Sequence, residues 1–116
     1  MAAVIITLDN DNNYYVDQFG VPASPGDTIK WKSVNGKFFI TIRDVLKFFS
    51  ARTNPTVAPA FGNLEKITVD SSGTDTSETY TIINTLDSGT EIVYEIYSDV
   101  NDQVDAPPKI IIVPST

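Results

Sequence analysis

Between Ser98 and Ala106 the chain carries Ser98, Asn101 and three aspartates, Asp99, Asp102 and Asp105. Clustered carboxylate and amide oxygens suit a hard cation such as calcium. Nothing softer is on offer, because the 116 residues include no histidine and no cysteine. Thiolate and imidazole are the ligands that hold copper, and cysteine is needed for most structural zinc and iron–sulfur sites. The same absence removes disulfides, Ser–His–Asp and Cys–His arrangements. A Ser-x-x-Lys pair is not found, nor is a glycine loop for phosphate. Glu91 with Glu95, or Asp99 with Asp102, are carboxylate pairs, but in so acidic a chain such pairs arise by accident, and the reading is that this is not an enzyme. No glycine-bearing calcium pattern runs through 99–105, so the expectation is a solvated acidic loop, with Asp99, Asp102 and Asp105 as the only calcium candidates. Asp9, Asp11 and Asn13 have the alternate spacing that opens an EF-hand loop. Tyr14 stands where that loop needs its glycine and no glutamate closes it, so the match is chance.

The residues that flank this loop read as short strands. Val4 to Leu8 is a β-branched apolar run stopped by Asp9–Asn13, and Tyr14 to Phe19 is a second extended piece. Pro22, Pro25 and Gly26 predict a turn before Thr28–Val34, where Ile29 and Trp31 alternate with Lys30 and Lys32. Asn35-Gly36 predicts a type I′ hairpin into Lys37–Arg43, with Phe38, Ile40 and Ile42 on one face. The one candidate helix is Asp44–Arg52, capped by Asp44 and ended by Asn54-Pro55 after one or two turns. Residues 53–64 read as a crossing loop. Leu64–Val69, Glu78–Asn84, Glu91–Tyr97 and Lys109–Val113 read as further strands. The expected fold is all-β: one domain over residues 1–116, a Greek-key β-sandwich of seven or eight strands with at most one short helix.

Two segments carry a family resemblance. Pro25-Gly26-Asp27-Thr28-Ile29-Lys30-Trp31 resembles the strand opening of the cupredoxins, the plastocyanin-like blue-copper proteins. Gly89-Thr90 and Tyr94-Glu95-Ile96-Tyr97-Ser98-Asp99-Val100-Asn101, then Ala106 and Lys109–Val113, resemble that family's metal loop and last strand, in register without a gap. The resemblance implies a cupredoxin-like sandwich. It sets the copper cysteine on Ser98, the histidine on Asn101 and the methionine on Ala106, with the other histidine near Lys37 or Phe38. Serine and asparagine are weak neutral donors and alanine is none, so the implied domain is copper-free and has no cofactor. A rival resemblance, on Leu86-Asp87-Ser88-Gly89-Thr90-Glu91 with Trp31, is to fibronectin type III domains and implies an adhesive module. It departs at Ile92, where that family has its corner tyrosine.

Net charge is −7, and residues 65–116 hold ten acids against two lysines. Such a surface repels nucleic acid and anionic lipid, so neither is an expected partner. Six of the eight bases lie between Lys30 and Arg52, where the expectation is solvated outward strand positions rather than one basic patch. No apolar run approaches the roughly 20 residues of a membrane span. The amino terminus lacks a signal-like basic start and long apolar run, so the compartment stays open: cytoplasmic, or periplasmic or extracellular if a signal was removed. Recognition falls to the aromatic residues. Alternation lets only one of Phe38 and Phe39 face the core, so an exposed Phe39 beside Lys37 and Arg43 is the first candidate surface for a protein partner or self-association.

Overall fold

Alternating apolar and polar residues give each strand one buried face, and two sheets close over those faces. The computed structural model describes residues 2–11, 16–17, 20–50, 64–98 and 108–114. One sheet has the order β1 (Ala3–Asp9), β3 (Thr28–Asn35), β6 (Tyr80–Thr81). The other runs β2 (Gly20–Ala23), β8 (Lys109–Ile112), β7 (Glu91–Ser98), β4 (Lys37–Ile42), β5 (Glu65–Asp70). The pairs β1–β3 and β2–β8 are parallel, and the remaining ladders are antiparallel. Two parallel pairs do not occur in the all-antiparallel sandwich of the fibronectin reading.

Between the sheets lie Ile6, Leu8, Ile29 and Trp31 from the first and Phe38, Ile40, Tyr94 and Ile96 from the second, all essentially without solvent contact. Each such large side chain contributes roughly 1.5–3 kcal/mol on leaving water. Trp31 meets Tyr80 and Tyr94 edge-to-face, with ring centroids 5.5 and 5.4 Å away, and Tyr80 meets Phe49 the same way at 5.6 Å. This geometry suits the positive ring edge against the negative ring face.

Four expectations change. Asn35-Gly36 is not a hairpin: β3 and β4 lie in different sheets, and only Gly36 has positive φ, at 100°. A type I′ turn needs both central residues there, so the chain crosses between sheets instead. The helix shrinks to α1 (Val45–Phe48), and Asp44 does not cap it. Asp44 is itself left-handed, at φ 54°, and its side chain makes no capping bond. Phe49 has already gone extended and bridges Ile82, which buries its ring in the core. Glu78–Asn84 yields only the two residues of β6, because Ile82 exchanges backbone bonds with Gly26 and Asp27 instead. Pro22 lies within β2 rather than in a turn. Among the described residues that strand is the sheet's edge and pairs on one side only, where a missing N–H is tolerated.

Of the expected second strand only Val16 and Asp17 are described, with Val16 bridging Leu8. Asn13, Tyr14, the crossing-loop residues 53–63, and Asp99, Asn101, Asp102, Asp105 and Ala106 lie outside the described residues. The bases divide as alternation requires: Lys30 and Lys32 on the outer face of β3, Lys37 on that of β4, Arg43 just past β4 and Lys47 on α1. Among the described residues no helix is long and apolar enough to cross a membrane.

Candidate functional site

Ser98 ends β7 and stands opposite Phe38, the second residue of β4. The register thus brings the two chain positions on which the resemblance sets the cysteine and the first histidine to one end of the sandwich. The Ser98 hydroxyl is nearly buried and donates to Asn10 Oδ1 at 2.9 Å. Asn10 follows β1, and its own N–H donates to the Asn35 carbonyl at 3.0 Å. Its amide lies hard against Gly36, where a β-carbon would overlap Asn10 Nδ2. Gly36 is therefore fixed twice, by positive φ and by this contact.

The network continues outward. Gly36 N–H donates to Ser71 Oγ at 2.9 Å, and the Gly36 carbonyl accepts from Ser33 Oγ at 2.6 Å and Ser71 N–H at 3.1 Å. Asp70 accepts from the Ser72 N–H and hydroxyl, at 3.0 and 2.8 Å, and these bonds hold its carboxyl below the usual aspartate range. Neutral hydroxyls and amides here satisfy one another, and none is a strong metal donor. Among the described residues no three carboxylates converge as metal ligands would. Asn10, Ser33, Gly36 and Ser71 were missed in sequence because Asn10 reads only as a turn residue and stands 88 positions from Ser98.

A second group lies on the outer face of β4 and β7. Phe39 is 38% exposed, and Lys37 Nζ lies 5.5 Å from its ring centroid, within cation–π reach. Tyr97, 36% exposed, is Phe39's partner across the ladder, and Val93 on the same strand is 50% exposed. Arg43 Nε is 4.0 Å from Glu95 Oε1, and with its side chain 81% exposed that ion pair adds little stability. Thr41, Arg43, Asp44, Phe48, Glu91, Val93 and Glu95 line an open groove of about 340 Å³. Lys37, Phe39 and Arg43 thus stand on one surface, and the fold adds Glu91, Val93, Glu95 and Tyr97 from β7. Their alternation was visible in sequence, but not their adjacency to β4.

No family model matches the chain, and no curated protein does. Among solved structures it is similar to one described as the reduced Cu(I) form of an amicyanin mutant, with a TM-score of 0.53 and 12% identity over 95% of this chain and 81% of that one. At that identity the likeness is one of fold. The chain therefore has a cupredoxin-like fold, a Greek-key β-sandwich that ends β7 on the hydroxyl of Ser98 and offers no thiolate or imidazole anywhere along its sequence.

Proposed function

We propose that this domain is a non-catalytic, copper-free cupredoxin-like module that binds protein through the outer face of β4 and β7. The observation that carries the reading is the exposure of Phe39 beside its ladder partner Tyr97, with Val93 exposed further along β7 beyond Glu95 and with Lys37 and Arg43 on β4's side of the same face. Adjacent exposed aromatic side chains with charged neighbours mark interaction surfaces, whereas scattered ones do not. The opposite demand, a site for chemistry, finds no support in neutral hydroxyls and amides that bond to one another around Gly36.

The test is affinity capture from the source cells with wild-type protein and with Phe39→Ser, both checked for equal melting temperature. Phe39 is partly exposed, so the substitution leaves the core intact, and the variant is expected to lose the proteins that wild type retains. A domain that stays monomeric, and whose variant captures the same proteins as wild type, would rule the reading out.

A further inference from the structure

We infer that the partner for this face is a second copy of the chain, docked about a two-fold axis parallel to β4 and β7; this rests on the reading that the face binds protein. The ladder sets Phe39 opposite Tyr97 and Thr41 opposite Glu95. Arg43 follows the last ladder pair, Ile42–Tyr94, and lines one groove with Val93, which has Glu91 and Glu95 on either side along the same face. The cations Lys37 and Arg43 thus belong to the β4 side of the face and the carboxylates to β7.

A two-fold axis along the strands lays β4 of each copy over β7 of the other. Phe39 of each then meets Tyr97 of the other. Arg43 of each enters the groove over Val93, between Glu91 and Glu95. An arginine suits that place, with an apolar stem for the valine floor and a planar charged head for the carboxylates. Such an interface is isologous, each contact occurring twice. Within one copy Arg43 Nε stands 4.0 Å from Glu95 Oε1 with its side chain 81% exposed, while Lys109 Nζ holds Glu91 at 3.0 Å and Tyr97 Oη donates to Glu95 at 3.3 Å.

The identity of the occupant follows from charge. A molecule of net charge −7 repels its own copy over most orientations. On β4 and β7 the two signs stand in separate rows, with Lys66 and Asp70 of β5 and Lys109 of β8 outside them, so these two strands match their own image when the rows are exchanged. A partner with a single sign of charge would meet like charge on one strand or the other, which is costly.

The experiment is sedimentation equilibrium over a concentration series with wild type, Arg43→Glu and the double variant Glu91→Lys/Glu95→Lys, all confirmed folded by melting temperature. Wild type is expected to dimerise, and each variant alone to dimerise at least about tenfold more weakly because like charges then face each other. An equimolar mixture of the two variants should regain the wild-type association, since the exchanged charges pair at one of the two symmetry-related contacts and the native charges at the other. Phe39→Asp, at the aromatic contact, should weaken dimerisation independently of the charge pair. Wild type that remains monomeric into the millimolar range, variants that dimerise like wild type, or a mixture no stronger than its components would each overturn the dimer. If wild type is monomeric yet still captures another protein through Phe39, the dimer fails and the binding module stands. If neither occurs, both fail.

Discussion

Asp27 shows at the residue scale what the proline-glycine-aspartate turn is for. Its carboxylate accepts from Ser24 N–H at 2.9 Å and from Ala2 N–H at 2.8 Å, so it ties the turn before β3 to the start of β1. The Ser24 bond, then the Ala2 bond, hold its carboxyl below the ordinary value of 3.8, against a smaller opposing effect of burial. A carboxyl whose folded pKa is depressed contributes stability above its unfolded pKa and loses it as pH falls through the folded value. Asp27→Ala should therefore cost about 1–3 kcal/mol at neutral pH. Denaturant unfolding should show that cost shrinking as pH falls below the ordinary aspartate range; a gap that stays constant would mean the charge is not involved. The turn itself was legible in sequence, from Pro25 and Gly26, the latter at φ 89°. The Ala2 bond was not, since it joins residues 25 positions apart. For the same reason Ser98 could be placed from its local motif, while Asn10, its hydrogen-bond partner, could not.

Elements follow local alternation wherever one face is buried and depart from it where the chain changes sheet. The β3 pattern was read correctly because Ile29 and Trp31 must face in while Lys30 and Lys32 face out. At Asn35-Gly36 the same local signal misled, since turn propensity does not reveal which sheet receives the next strand. The β3–β7 contact in the core exposes another property of these elements. Trp31 Nε1 and Tyr94 Oη are both buried, and among the described residues neither makes a well-formed hydrogen bond, although the two rings are in contact. Burial pushes the Tyr94 hydroxyl well above the usual phenol range, an effect the Trp31 side chain only partly offsets. A buried hydroxyl without a well-formed hydrogen bond keeps most of its desolvation penalty. Tyr94→Phe is therefore expected to leave stability unchanged or raise it by up to about 1 kcal/mol, read from urea unfolding. A loss of that size instead would mean that the hydroxyl is bonded in solution.

At the scale of the whole molecule, the excess of acid lies in the second half of the chain. The acids of residues 65–116 are spread over both the described strands and the 99–105 segment, and those described do not gather as ligands. Millimolar calcium is accordingly expected to leave the melting temperature unchanged, because a ion that binds only the folded state must raise it. A rise abolished by replacing Asp99, Asp102 and Asp105 with asparagine would assign the loop as a calcium site and displace the metal-free reading. The sequence by itself determined the all-β class, most strand positions and the absence of histidine and cysteine, because alternation and composition are local properties. It also singled out Phe39, since two adjacent phenylalanines on one strand cannot share a face. Only the tertiary structure decided that β3 and β4 belong to different sheets, that Asn10 closes over Gly36 to reach Ser98, and that β7 brings Tyr97 and Val93 beside Phe39. Those are pairings between distant segments, fixed by how two sheets bury one core rather than by the preferences of neighbouring residues.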